Sequence, residues 1–268
     1  MKSKETIGGT GRKLGIMVSE FQNPNLIRVL RQGGFQFVIA DDEHGYFGFG
    51  ELAAMAAVAN GYGMPFIVRV PGVTREYITK ILDMGADGIL VPMVNTVMQA
   101  REAVEYAKYT PIGKRGISTT RAHTDYNPPP LWEYLKQANE RVGLFVQAET
   151  KTAVENMEEI VALEGIDGVL IGPNDLAGDY GMPGKVNGEE IRQAVKKLAK
   201  ESRKHNKASG IITGNKELLR YSLNQGLNLY SYGSELDLLL KGARNRTEDF
   251  DSICKETEDG IGGNCSKK

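Results

Sequence analysis

The chain has 268 residues, of which 41% are hydrophobic and 25% are charged, and its formal net charge is −1 at pH 7. The near-zero charge argues against a nucleic-acid or membrane-surface partner, because such proteins carry an excess of basic side chains. We expect no membrane span and no secretory signal, since no apolar run is suitable. Cys254 and Cys265 form no disulfide or metal motif, so we expect a reducing, cytoplasmic location.

Short apolar runs alternate with amphipathic stretches along most of the chain. Strands are predicted at residues 13–18, 35–40, 65–70, 88–91, 143–146, 168–171, 208–212 and 227–232. Helices are predicted at residues 24–31, 49–60, 74–84, 96–109, 131–139, 152–163, 188–205, 215–224 and from 236 to 243. The strands are continuously apolar, as expected for parallel strands buried on both faces. This alternation predicts an α/β fold, a single TIM (β/α)8 barrel. A doubly wound open sheet is the alternative, but no Gly-x-Gly-x-x-Gly follows the first strand.

Two segments do not fit the repeating pattern. Residues 111–130 are rich in Gly, Pro, Thr and Arg. A connection of that length is usually functional or disordered. After Glu248 the sequence is polar and has no periodicity. We therefore predict a barrel domain over residues 1–248 and a polar tail over residues 249–268, disordered or packed on a neighbouring subunit.

Ionisable or polar side chains lie at the ends of several predicted strands, where the active sites of such barrels lie. They are Asp41, Asp42, Glu43 and His44 after the second strand, Arg69 at the end of the third, Gln147 and Glu149 after the fifth, and Asp175 after the sixth. Because neighbouring strands are about 4.8 Å apart, Glu149 and Asp175 can reach one cation. Two carboxylates with open positions suit Mg²⁺ or Mn²⁺. The alternative is that Glu149 caps a helix and Asp175 forms a turn.

Arg69 and His44 are the other candidates for chemistry. The Arg69 guanidinium matches a substrate carboxylate, although an ion pair with the acidic cluster is the alternative. His44 suits a general base, although a structural role is the alternative for any single histidine. No serine has triad partners, and no lysine follows a strand where a Schiff base would form. The sequence therefore favours metal chemistry over covalent catalysis.

Seven short motifs occur together in one order along the chain. They are Asp41-Asp42-Glu43-His44, Val68-Arg69-Val70-Pro71, Leu82-Asp83-Met84-Gly85-Ala86, Leu90-Val91-Pro92-Met93-Val94, Pro111-Ile112-Gly113-Lys114-Arg115-Gly116, Val146-Gln147-Ala148-Glu149-Thr150 and Ile171-Gly172-Pro173-Asn174-Asp175-Leu176. Over roughly residues 14–240 the chain resembles the class II, metal-dependent pyruvate aldolases of the HpcH/HpaI family. The resemblance implies a barrel whose last helix is exchanged between subunits, in dimers that assemble into hexamers.

The resemblance also implies roles for individual residues. His44 would be the general base, and Asp83 would raise its basicity. Asp83 ends a predicted helix, away from the expected mouth of the barrel, so Asp41 is the alternative partner of His44.

For substrate and cofactor, the resemblance implies a further set of residues. Arg69 would bind the pyruvyl carboxylate and stabilise the transition state. Glu149 and Asp175 would hold Mg²⁺, Mn²⁺ or Co²⁺. Gln147, Asn174 and Asp175 would bind the 2-oxo acid.

The chain departs from the family pattern at several positions, and the changes cluster where the aldehyde or acceptor portion of the substrate would be held. Asp42 replaces the usual glycine, and Asn174 replaces Ala or Ser. Glu235 ends Tyr232-Gly233-Ser234-Glu235, where Val-Gly-Val/Ile-Asp is usual.

The predicted function is a metal-dependent carbon–carbon lyase. It would cleave a 4-hydroxy-2-oxo acid to pyruvate and an aldehyde, or catalyse the reverse condensation. An oxaloacetate decarboxylase or condensing enzyme on the same scaffold is one alternative, and a non-catalytic binding protein that keeps the fold is another. The predicted partners are a small 2-oxo acid and further copies of the chain, without nucleic acid or membrane.

Overall fold

A computed structural model describes residues 11–262, with side chains up to residue 257. Eight parallel strands close into a barrel in chain order. They are β1 (Lys13–Val18), β2 (Phe37–Asp41), β3 (Phe66–Arg69), β4 (Gly88–Val91), β5 (Gly143–Ala148), β6 (Gly168–Ile171), β7 (Ala208–Thr213) and β8 (Leu229–Ser234). The predicted TIM barrel is therefore confirmed.

Helices follow the strands around the barrel. They are α1 (Asn25–Gln32), α2 (Phe49–Gly61), α3 (Arg75–Asp83), α4 (Val97–Ala107), α5 (Leu131–Arg141), α6 (Lys151–Glu155), α7 (Met157–Ala162), α8 (Pro173–Asp179), α9 (Glu189–His205), α10 (Lys216–Gln225) and α11 (Glu235–Gly262). The long connection between α4 and α5 contains a short 3₁₀ helix, Ala122–Thr124. Arg115 and His123 in this connection are buried, so it packs on the barrel.

The helices differ from the sequence prediction in three places, the first being that the single helix predicted at residues 152–163 is divided into α6 and α7. The unpredicted α8 begins at Pro173, a position where proline's missing N–H costs no helical hydrogen bond. Helix α11 continues to Gly262, so residues 249–262 are helical and the predicted disorder is wrong for them. The segment has many charged residues, but Lys and Glu are also good helix formers. Residues 263–268, with Cys265, lie outside the described part, and packing on a neighbour stays a prediction.

The inside of the barrel is filled by apolar side chains from the strands. They form one buried cluster, consisting of Met17, Phe37, Ile39, Ile67, Leu90, Phe145, Leu170, Ala208 and Leu229. A second, larger cluster lies between the strands and the surrounding helices. The barrel is therefore a packed core, and polar chemistry is confined to its ends.

A repeated polar contact joins the strands at the amino-terminal end of the barrel. Each pair consists of the residue just before an even-numbered strand and one residue of the strand that precedes it. The side chain of the first residue accepts a hydrogen bond from the backbone N–H of the second. The backbone N–H of the first residue donates to the carbonyl of the second. The pairs are Gln36 with Leu14, Asp87 with Phe66, Asp167 with Leu144 and Asn228 with Ser209. Backbone N–H and C=O groups at the ends of strands need such partners, so these contacts help to fix the register of neighbouring strands.

One of these residues also belongs to a buried ion pair. The Lys108 side chain is 1% exposed, and its Nζ lies 2.8 Å from Asp167 Oδ2. Lys108 also donates to the carbonyls of Asn139 and Val142. The pair ties the end of α4 to the starts of β5 and β6.

We predict that Lys108→Met destabilises the fold by about 3–5 kcal/mol, because the Asp167 carboxylate loses the partner of its buried charge. Urea unfolding at fixed protein concentration measures the loss. The matched control is Lys114→Met, which removes an exposed ion pair to Glu105 and is expected to cost at most about 1 kcal/mol. Equal, small losses in the two variants would contradict the account.

Candidate active site

A buried arginine connects two strand ends at the carboxyl-terminal end of the barrel. Arg69 lies opposite Asp41 in the pairing of β2 with β3. Its Nε is 2.8 Å from Asp41 Oδ1, and an amino nitrogen is 2.6 Å from Asp41 Oδ2. The other amino nitrogen is 3.1 Å from Glu43 Oε2. Burial opposes ionisation of Asp41, but the hydrogen bonds and charge of Arg69 hold its pKa below the usual value. The ion pair weighed as the alternative role of Arg69 is thus present, and its role toward substrate stays a prediction.

His44 follows these groups and is held mainly by its backbone. Its side chain is 68% exposed, and its Nε2 is 3.9 Å from Glu43 Oε2. Asp41 Oδ1 accepts from the His44 backbone N–H at 3.4 Å. The described contact of Asp41 is therefore with the main chain of His44 and not with its ring.

Asp83 lies at the other end of the barrel. It is the last residue of α3, just before β4 begins, whereas His44 comes just after β2 ends. Its Oδ1 is 2.6 Å from an amino nitrogen of Arg115, and its carbonyl oxygen is 3.1 Å from His123 Nδ1. Burial, followed by the charges of Arg115 and Arg141, keeps the pKa of His123 below its usual value.

Asp42, the unusual residue beside the mouth, contacts the helical layer. It hydrogen-bonds to the Phe47 backbone and to Tyr77 of α3. Burial, together with the charge of Asp41, raises its pKa to about 6. Asp42 therefore connects the end of β2 to α3 beside the candidate site.

Glu149 is the most deeply buried carboxylate of the mouth, with 1% of its surface exposed. Its Oε1 accepts the Met93 N–H at 2.6 Å, and its Oε2 accepts from Gln147 Nε2. Burial raises the pKa of Glu149 to about 7, and the charges of Glu43 and Asp175 act in the same direction. A nearby cation would stabilise the ionised form of this carboxylate.

The groups around Glu149 fit a divalent cation. Gln147 Oε1 is buried and has no hydrogen-bond partner in the part of the chain that the structure describes. A Cβ at Gly172 would lie 2.5 Å from Glu149 Oε2, so only glycine lets β6 approach so closely. Asp175 follows in the first turn of α8, exposed beside Asn174. Carboxylate and amide oxygens are the hard donors that Mg²⁺ and Mn²⁺ prefer, so these residues fit the predicted ion.

A separate group of possible metal ligands lies on the outer helices. Glu158 of α7 and Glu201 and His205 of α9 place ligand atoms within 4.8 Å of one another. Glu158 pairs with Lys204, and Glu201 pairs with Lys200. These lysines already balance the carboxylates, and the group is remote from the strand ends that carry Glu149.

Three contributors to the mouth were not identified from the sequence. Met93 and Gly172 position Glu149, and the only signal was their place in the motifs after β4 and β6. Glu235, noted only as a departure, is 3% exposed and accepts three backbone N–H groups of the loop after β1.

Comparison with known proteins agrees with this geometry. The 5-keto-4-deoxy-D-glucarate aldolase of Klebsiella pneumoniae is 32% identical, over 85% of this chain and 88% of that protein. The crystal structure of an HpcH/HpaI aldolase from Desulfitobacterium hafniense DCB-2 is 28% identical, with a TM-score of 0.85, and covers 91% of this chain and 95% of that one. Citrate synthase SbnG is 25% identical, with a TM-score of 0.79, and covers 96% of this chain and 98% of that one.

None of the helices in the described part of the chain is both long and apolar enough to cross a membrane. The family model for HpcH/HpaI aldolase/citrate lyase matches residues 16–242, which include every candidate residue of the mouth. A match of that extent, together with the barrel and its acidic mouth, shows that the chain belongs to the HpcH/HpaI aldolase/citrate lyase family of enzymes.

Proposed function

We propose that this enzyme is a divalent-metal-dependent aldolase that cleaves a 4-hydroxy-2-oxo acid to pyruvate and an aldehyde, or condenses the two. The observation that carries the proposal is Glu149, a buried carboxylate with a pKa raised to about 7 in the barrel mouth. A cation would stabilise the charged form of such a group, and the neighbouring Gln147 Oε1, which has no hydrogen-bond partner among the described residues, could act as a further donor. The aldolase name of the Klebsiella relative supports the same reaction class.

Glu149 and Asp175 would hold the ion, and Mg²⁺, Mn²⁺ and Co²⁺ are the candidates. When bound there, it supplies positive charge to the enolate formed as the C3–C4 bond breaks. Arg69 adds a fixed positive charge and would bind the pyruvyl carboxylate. Gln147 and Asn174 would orient the 2-oxo acid by hydrogen bonds.

His44 would remove the proton from the 4-hydroxyl group of the substrate. Its ring is exposed at the mouth, and the one contact described for it within residues 11–257 is 3.9 Å long, so the ring can turn toward a substrate. Imidazole can accept and return a proton, which suits proton transfer in both directions of the reaction.

We further propose a homo-oligomer, built from dimers, as the working form. Asp83 lies at the opposite end of the barrel from His44 of its own chain, so an effect of Asp83 on His44 requires a neighbouring subunit. Helix α11 also exposes Leu239, Phe250 and Ile253, at 56%, 66% and 60%. Apolar residues in such number on one projecting helix indicate a surface that another copy covers.

The second candidate is an enzyme that condenses or decarboxylates oxaloacetate through the same enolate. The similarity to citrate synthase SbnG supports this second candidate. A non-catalytic binding protein is disfavoured, because Arg69, Glu149 and Asp175 are all retained in one mouth. The cytoplasmic location stays a prediction.

We predict that His44→Ala lowers aldol cleavage at least tenfold more than it lowers oxaloacetate decarboxylation, because decarboxylation has no hydroxyl proton to remove. Pyruvate release from each substrate measures both rates on the same preparation. His205→Ala, on an outer helix, is the control. Equal losses of the two activities in His44→Ala would contradict the base assignment, and decarboxylation without any aldol cleavage by the native chain would favour the second candidate.

We predict that Glu149→Gln and Asp175→Asn each weaken Mn²⁺ binding at least tenfold, because each removes one charged ligand. Titration calorimetry on EDTA-treated protein measures the affinity, and added metal should restore the activity of the native chain. Glu158→Gln serves as the control, since it changes the outer group alone. Titration curves that shift for Glu158→Gln and not for Glu149→Gln would refute this placement.

A further inference from the structure

Glu235 joins the end of β8 to the loop that follows β1. It is the first residue of α11, and its side chain is buried. Its Oε1 accepts the backbone N–H groups of Ser19 at 2.8 Å, Glu20 at 2.7 Å and Phe21 at 3.3 Å. Its Oε2 is buried without a hydrogen-bond partner in the described part of the chain. One charged oxygen therefore fixes three consecutive residues of this loop by charge-assisted hydrogen bonds.

The same loop contacts the two residues that follow His44. A Cβ at Gly45 would lie 2.8 Å from the Ser19 carbonyl oxygen and would also clash with the Asp41 carbonyl, so the backbones touch there. The Tyr46 hydroxyl donates to Glu20 Oε2 at 2.8 Å. Gln22 Nε2 donates to the Tyr46 carbonyl at 3.2 Å. The segment after His44 is therefore held from one side by the loop after β1.

These contacts matter because the His44 ring has little support of its own. Its one described ion-pair contact is 3.9 Å long, so the position of the ring depends on its backbone. That backbone is held by Asp41 on one side and by the β1 loop on the other. Small displacements of a catalytic group are costly, since about 1 Å can reduce a rate about a hundredfold.

We infer that Glu235 is a positioning residue for His44, acting through Ser19–Phe21 and Gly45–Tyr46. The inference rests on the proposed aldolase function. The inference gives Glu235 an indirect role, because its described hydrogen bonds are to the loop after β1. A double-mutant cycle separates this role from a general contribution to folding.

The experiment measures aldol cleavage and oxaloacetate decarboxylation in the full-length native chain, Glu235→Ala, His44→Ala and the double variant. Glu235→Ala is expected to lower kcat for aldol cleavage at least about tenfold more than for decarboxylation, as His44→Ala does. The double variant should cleave the aldol substrate no more than about twofold more slowly than His44→Ala alone, because the base that Glu235 positions is already absent. Glu235→Gln keeps a carbonyl acceptor for the loop and should recover most of the rate.

Asp237→Ala is the matched control, since this carboxylate lies two residues after Glu235 in the same helix and accepts from the Ser234 N–H alone among the described contacts. It should leave both rates near those of the native chain. Equal losses in the two reactions, or a full loss that persists in the His44→Ala background, would overturn the inference. If Glu235→Ala does not fold, Glu235→Asp, one methylene shorter, undergoes the same comparison. Failure of the proposed function is distinguishable, because the native chain itself would then show no aldol cleavage.

Discussion

The buried charge of Arg69 is the interaction on which the mouth of the barrel depends. Its guanidinium is hydrogen-bonded to Asp41 and lies 3.1 Å from Glu43, and the charge of Glu149 also favours its protonated form. Carboxylates brought together in a buried space repel one another, and burial itself disfavours their charge. Arg69 keeps Asp41 ionised, but it leaves Glu149 with a pKa near 7. Burial and the neighbouring carboxylates disfavour the charged form of Glu149, and a cation that would restore this form is the physical basis of the metal proposal.

The parallel barrel makes this arrangement possible with residues far apart in sequence. The pairing of β2 with β3 sets Asp41 beside Arg69, and the pairing of β5 with β6 brings Gly172 against Glu149. At the opposite end, the polar residue before each even strand secures the strand before it. Register contacts thus occupy one end of the barrel and the candidate chemistry occupies the other. Asp83 belongs to the first end, which is why its proposed effect on His44 involves a second subunit.

Much of the fold was predictable from the sequence because the strands are uninterrupted apolar runs. The bounds predicted for β4 and β6 are those observed, and the residues after the strands lie at the mouth as expected. The continuation of α11 was not predicted, because its polar composition was taken as a sign of disorder while its helix-forming residues were given no weight. The Lys108–Asp167 pair and the contacts of Glu235 were also missed. Each joins residues distant in the chain, the latter more than 210 positions apart, and no local pattern reports such a contact.

The central claim is that the mouth stabilises a pyruvate enolate with a metal held by Glu149. Exchange of the pyruvate methyl protons with D₂O, followed by NMR in the presence of Mg²⁺, tests it most directly, because no aldehyde is required. The account predicts exchange by the native chain that stops on addition of EDTA and is largely lost in Glu149→Gln. Exchange that continues unchanged in EDTA, or that is equally fast in Glu149→Gln, would contradict it.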